Sequence, residues 1–218
     1  MSSLGSIPAL QALTPAVLDE LAGRTRTAHF DAGAVLRPAG GVARHAVFLL
    51  SGTLVATHTS LGGVEAWPDR WVGPAIADKP ATLAGGPSPT GLTALTAVAV
   101  RLLPRTGFLR LLDEQPTVRQ HALAQMAREA VAVRSRLARA VTLPAAAQVA
   151  AWLSEQDRDP RFAWRGSQEQ LARVLGLSRV TVNRALAHLS QAGAVALTAR
   201  GIVVVDRERL AAVAEHPE

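Results

Sequence analysis

The sequence predicts an α+β protein: a β-rich first half, one long helix, then shorter helices ending in a β-hairpin. Three observations carry this. Between residues 24 and 103 the apolar runs are short and broken by glycine and turn residues, at roughly 8–12-residue spacing. From about residue 116 to 141 apolar side chains recur at helical steps. Residues 167–193 hold two helix-start signals, with one glycine between them and another after the second.

The elements follow in order. LTPAVLDELAG reads as a short helix: Thr14 caps it, Pro15 suits its first turn and Gly23 ends it. The next segments read as an antiparallel sandwich or barrel. Val47–Leu50, Ser51-Gly52 and Thr53–Val55 read as strand, turn, strand, and Gly62-Gly63 as the next hairpin turn. Residues 73–91, rich in Pro and Gly, read as an irregular loop with at most one short helix. In the long helix, Leu123, Met126, Ala130, Val133, Leu137 and Ala140 form a heptad seam with Arg and Gln on other faces. Such a seam packs on its own barrel or pairs with a second copy. Its narrowness and regularity favour a dimer helix.

Pro144 marks a break and a hinge. AAAQVAAWLSEQ is a helix, and Ser167-Gln168-Glu169-Gln170 is a capping-box start for another that stops at Gly176. Ser178 caps the following helix, which runs to about Gln191 and ends at Gly193. VALTARGIVVVD is a hairpin turning near Arg200-Gly201, and DRERLAAVAE is a last helix.

Composition narrows the function. At 218 residues and 49% hydrophobic, the chain can bury a real core. Its apolar runs fall short of the ~20 residues of a membrane span, and its start shows no export signal. A cytoplasmic protein with no membrane partner is expected. There is no cysteine, so disulfides, thiolate metal sites and cysteine-held iron–sulfur clusters are excluded. No HExxH, no phosphate-binding GxxxxGK and no nucleophile–base pattern is present. No catalytic residue, metal site or enzyme activity is expected. The pI of 11.4 is inflated by arginine, because the net charge is only +6. Distribution is more telling: residues 1–100 balance six cations with six anions, while residues 101–142 hold eight Arg against three acids.

Helix, short turn at Gly176, helix and β-hairpin describe a winged helix-turn-helix. Leu171, Val174, Leu175, Leu177, Val182, Leu186 and Leu189 brace the two helices. That leaves Ser178, Arg179, Thr181, Asn183 and Arg184 near the start of the second, the end that enters a major groove. Residues 171–190 hold no acid, so Arg173, Arg179 and Arg184 read as cations with nothing to neutralise them. Arginine bonds two acceptors on a guanine edge, and hydroxyls and helix N-termini suit phosphates. The competing reading is a plain helical bundle with a solvated Arg face. Ser167 and Gln168 at the first helix, Val180 on the second and Arg200 in the hairpin turn complete the candidate DNA face.

With these residues on the page, the chain resembles the cyclic-AMP-receptor and fumarate-nitrate-regulator (CRP/FNR) transcription factors. LTPAVLDELA, AGAVLRPAG, VFLLSGTLVA, QMAR at 125–128 and LGLSRVTVNRALAHL fall in that family's order and spacing. The resemblance implies a cyclic-nucleotide-binding-like β-barrel (a double-stranded β-helix or jelly roll) over 1–115. It further implies a dimerisation helix over 116–142 and a winged helix-turn-helix over 143–218. It places Arg179 and Arg184 at the two arginines of an Arg-Glu-x-x-x-Arg reading pattern. Val180 stands where many members have glutamate, and valine offers a thymine methyl contact or none.

The effector groups of nucleotide-binding members are missing. The matching places, Gly73-Pro74 and Pro89-Thr90, carry neither the acid nor the arginine, and Val133 and Arg134 replace hydroxyls on the long helix. Lys79 reads as a surface lysine. Cyclic AMP is not expected. Haem needs an axial ligand. His29, His45, His58 and His121 are unclustered and read as loop or surface histidines, so no cofactor is expected. Trp67 and Trp71, flanking a Pro-Asp turn, read as core rather than pocket. The leading reading is a homodimeric, sequence-specific regulator on an inverted-repeat operator of double-stranded DNA, with a degenerate effector pocket. An activator would also touch RNA polymerase. The alternative is a haem- or other small-molecule-binding sensor module of the same fold, its DNA binding ligand-dependent or lost. Whether a small-molecule effector exists stays open.

Overall fold

The computed structural model describes residues 4–156, 163–164, 166–199 and 201–215. The chain packs as two compact units: residues up to 58 together with 67–131, and residues 59–66 together with 132–218.

In the first unit, two 3-10 turns (Leu4–Ser6 and Pro8–Leu10) lead into α1 (Pro15–Gly23). The Thr14 hydroxyl accepts from the Val17 amide at 3.4 Å, the expected cap. Two antiparallel sheets follow. One orders β1 (Arg26–Phe30), β9 (Val98–Pro104), β3 (His45–Ser51) and β7 (Ala75–Ala77) as β1-β9-β3-β7. The other sets β8 (Gly91–Ala94) between β2 (Val35–Arg37) and β4 (Thr53–Thr59), with β6 (Arg70–Val72) also on β4. A two-residue strand, β5 (Glu65–Ala66), follows the tip where Gly62-Gly63 makes its expected turn, with Ser60 donating to the Val64 carbonyl at 2.9 Å.

Two local expectations are corrected. Val47–Leu50 and Thr53–Val55 do form strands around Ser51-Gly52, but they do not pair with each other. β3 lies between β9 and β7, whereas β4 pairs β8 and β6. Gly52 (φ +85) carries the chain from one sheet to the other; a Cβ there would sit 2.2 Å from the Ala97 carbonyl, so only glycine fits. Residues 73–91 are not simply a loop with a helix. They hold β7, paired with β3, and α2 (Lys79–Ala84).

The side chains between the sheets include Val47, Leu49, Leu54, Trp71, Leu92 and Val100, all buried. Trp67 is buried too, so both tryptophans are packed rather than exposed. On the outer side of β3 and β9 a second core gathers Phe48 and Leu103 with Phe108 and Leu111 of α3 (Arg105–Glu114). Phe48 meets Phe108 edge to face at 6.3 Å. α3 starts after Pro104 with no side-chain cap and so carries no start signal of its own in the sequence. α4 (Pro116–Thr142) contributes Val118 and Ala122 of its first turns to the same core.

The second unit contains α5 (Ala145–Glu155), α6 (Gln168–Leu175), α7 (Arg179–Gln191) and α8 (Arg207–Glu215). Its sheet orders β10 (Ala163–Trp164), β12 (Gly201–Val204) and β11 (Val195–Thr198) as β10-β12-β11. Val149, Leu153, Leu171, Val182, Leu186 and Leu189 form its centre. Leu186 is fully buried, so Leu186→Ala is expected to remove about 2–5 kcal/mol of stability. Urea unfolding checks this: the midpoint falls and the slope stays constant.

Candidate nucleic-acid interface

The reading elements are held by local bonds before any packing is counted. The Ser167 hydroxyl accepts from the Gln170 amide at 3.1 Å, and the Gln170 side chain accepts from the Ser167 amide at 3.0 Å. This closed capping box satisfies two amides at the start of α6. Gly176, at φ +67, turns the chain left-handed and ends the helix. Ser178 then caps α7, its hydroxyl accepting from the Thr181 amide at 3.0 Å. The Thr181 hydroxyl lies 2.8 Å from that same oxygen.

The helical period sorts α7 into two faces. Val182, Ala185, Leu186 and Leu189 are buried. Ser178, Arg179, Val180, Asn183 and Arg184 are exposed, and Thr181 is half-buried. Arg179 and Asn183, and likewise Val180 and Arg184, are four residues apart and share a row. Neither Arg179 nor Arg184 makes an ion pair among the described residues. Arg173 differs. It bonds Glu169 one turn earlier at 2.9 Å and lies 3.9 Å from Glu65, so the expectation of three unneutralised arginines is corrected to two. The acid-free stretch began two residues too late to include Glu169.

Ser167 is exposed and Gln168 half-buried at the start of α6. Arg200 lies outside the described residues. The strands beside it pair as expected, Thr198 opposite Gly201, and the Thr198 hydroxyl donates to the Gly201 carbonyl at 3.0 Å.

Residues 147–213 match the family model of the Crp-like helix-turn-helix domain. That stretch carries a Crp-like helix-turn-helix. Over 134 residues it is 26% identical to the CRP-like cAMP-activated global transcriptional regulator of Mycobacterium tuberculosis, covering 58% of this chain and 60% of that relative's length. Solved structures share its fold. The c-di-GMP responsive regulator CLP of Xanthomonas campestris aligns at TM-score 0.75 and 13% identity, covering 88% of this chain and all of that one. A CooA mutant from Carboxydothermus hydrogenoformans aligns at TM-score 0.77 and 14% identity, covering 89% and 90%.

The α4 seam is uncovered. Leu123 is 59% and Leu137 64% exposed; Ala130, Val133 and Ala140 are exposed and Met126 half-buried. Thr142 closes α4, and Pro144 opens α5 with extended backbone. The Arg139–Glu155 ion pair spans this break.

The barrel corrects one residue and reveals two others. Lys79 is no surface lysine: it is 1% exposed, and its ammonium donates to the Ile76 carbonyl at 3.0 Å with Glu129 at 3.8 Å. Burial pushes its pKa below the usual lysine value, against the opposing pull of Glu129, Asp69 and Asp78. An acid and a guanidinium also meet where neither was expected. Arg37 donates to Asp78 at 2.5 Å, to the Ser88 hydroxyl at 3.2 Å and to the Thr90 carbonyl at 3.1 Å. All three bonds leave from Nη2, and buried Nε has no partner. Asp78 holds a left-handed φ of +46 just before α2. Asp78-Lys79-Pro80, a helix-start pattern, was the available sign of the acid. Nothing local marked Arg37.

The histidines do not converge. His29 lines a groove beside α1, whereas His45 is at the mouth of a different cavity. His58 lies 3.4 Å from the Pro89 carbonyl, and His121 is half-buried on α4.

Proposed function

We propose that the chain acts as a homodimer that binds an inverted-repeat operator and regulates transcription, with a sensor barrel (1–115), a dimerisation helix (116–142) and a DNA-reading domain (143–218). One observation carries this: a capped α7 presents Arg179 and Arg184, exposed and without an ion pair among the described residues, above a closed core. Arg179 and Arg184 read guanine edges, Asn183 and Thr181 neighbouring acceptors, and Val180 a thymine methyl. Ser167, Gln168, Ser178 and Arg200 face the phosphate backbone. Leu123, Met126, Ala130, Val133, Leu137 and Ala140 meet their copies across the twofold axis. The uncovered seam supports this, because apolar residues at that spacing otherwise face water. Paired helices fix the distance between two α7 helices, and a bend near Thr142–Pro144 sets their angle.

The barrel does not hold cyclic AMP in this reading. The places that such a ligand would engage carry neither the acid nor the arginine, the buried Arg37 and Asp78 are occupied by each other, and Lys79 is sealed beneath the surface. A reader that no longer reads is the competing outcome, favoured by Val180 being 60% exposed with no polar group to offer.

Selecting bound fragments from a random DNA pool with the purified protein, no ligand added, tests the proposal. The expected result is an inverted repeat with half-site centres about one helical turn, 10–10.5 bp, apart. No enrichment, with binding that only follows salt, would point to a nonspecific binder or a ligand-dependent one.

A further inference from the structure

A groove of about 540 Å³ lies between α1 and the outer face of the β1-β9-β3 sheet. Alternation along the strands puts it there: Leu49 and Val100 turn between the two sheets, so Leu50, Ala99 and Arg101 turn outward. Leu4, Pro15, Leu18, Leu50 and Ala99 make its walls apolar. Register supplies polar groups on its floor, since Thr27 stands opposite Arg101 and His29 opposite Ala99. Asp19, exposed on α1, is the only acid among the described residues that lines it.

Arg101 is fixed without being neutralised. It is half-buried, its Nε donates to the Thr25 hydroxyl at 2.7 Å and its Nη2 to the Ala22 carbonyl at 2.8 Å. Both acceptors are uncharged, and Arg101 makes no ion pair among the described residues. Asp19 lies three residues before Ala22, one helical turn along the same face of α1. It too has no ion pair among the described residues, whereas its neighbour Glu20 is bonded to Arg24. A fixed cation and an acid thus line one apolar groove without meeting. That gap suits a ligand carrying both charges on one carbon, its ammonium turned to the acid and its carboxylate to the guanidinium.

We propose that this groove binds a free α-amino acid with an apolar side chain. The carboxylate accepts from Arg101, with Thr27 and His29 beside it. The ammonium donates to Asp19, and the side chain lies on Leu4, Leu18 and Leu50. The volume falls within the roughly 300–1,000 Å³ of small-molecule sites, which leaves room for a side chain as large as an aromatic ring. Arg101 is already oriented by its two bonds, so little side-chain freedom is lost on binding. A simple apolar acid would leave Asp19 unmatched, and a simple amine would leave Arg101 unmatched, so the pair of charges carries the selectivity. Every residue of the site belongs to the first unit. Binding is measured without DNA, and it stands or falls apart from the operator reading.

The test is calorimetric titration of the full chain with L-phenylalanine, with 3-phenylpropionate, which lacks the ammonium, and with phenethylamine, which lacks the carboxylate. The amino acid is expected to bind about tenfold more tightly than either. Asp19→Asn, at an exposed position, should erase the advantage over 3-phenylpropionate and leave that acid's own binding no weaker. Arg101→Gln should erase the advantage over phenethylamine. Because Arg101 also ties β9 to α1, thermal unfolding is measured alongside, and Asp19→Asn decides alone if Arg101→Gln does not fold. The proposal is overturned if L-phenylalanine does not bind, if either analogue binds as tightly, or if the advantage over the matching analogue survives in either folded variant.

Discussion

Replacing Arg179 with alanine is expected to weaken operator binding by about 1–3 kcal/mol per subunit, roughly 5- to 150-fold, and twofold symmetry doubles the free energy. Arg184→Ala should act alike. The reason lies in what these arginines lack. A guanidinium already bonded to a carboxylate must break that bond before it reads a base; Arg173, held by Glu169, is in that position. Arg179 and Arg184 have no such bond to lose among the described residues. Both are exposed, so truncation should leave stability within about 0.5 kcal/mol. Fluorescence anisotropy on the selected operator and on single-base variants decides the role. A base reader loses discrimination at one position of each half-site. Equal loss on every sequence, with a shallower salt slope, would instead make the residue a phosphate contact.

Leu123→Glu with Leu137→Glu is expected to convert the proposed dimer into a monomer of 22.8 kDa. In the isolated chain both side chains face solvent, and neither belongs to a core cluster. The variant therefore keeps the fold and the thermal unfolding of its two units. Facing a copy of itself, it would bury like charges at two heptad positions, which pairing cannot tolerate. The second half-site is then no longer held at high local concentration, and operator affinity should fall by about 10²–10⁴. Sedimentation reads the mass and anisotropy the affinity. An unchanged dimer would place the contact elsewhere on the surface and leave the seam without a role.

How much of this was legible depended on distance along the chain. The DNA-reading unit was written locally. The capping box spans Ser167 to Gln170, the left-handed turn is Gly176, and the second cap joins Ser178 to Thr181, each within a few residues. The long helix and its seam were legible for the same reason, since periodicity is a local signal. The barrel was not. Gly52 looks like a hairpin turn whether its strands pair or part, and only their partners, decades of residues away, distinguish the two. β7 hid in a Pro- and Gly-rich run because a three-residue strand carries no period of its own. Lysine is almost never fully buried, so Lys79 was expected outside; its acid, Glu129, lies fifty residues on. Arg37 and Asp78 are 41 residues apart, and neither neighbourhood announces the other.

The burial of Lys79 has a chemical consequence for the whole surface. It is the chain's single lysine, and it is sealed. Every exposed cationic side chain that could meet a phosphate is therefore a guanidinium or an imidazole. Guanidinium keeps its charge at any pH a cell reaches and, unlike an amine, is not neutralised by acylation. The electrostatic attraction for nucleic acid proposed above would thus stand beyond the reach of lysine acetylation.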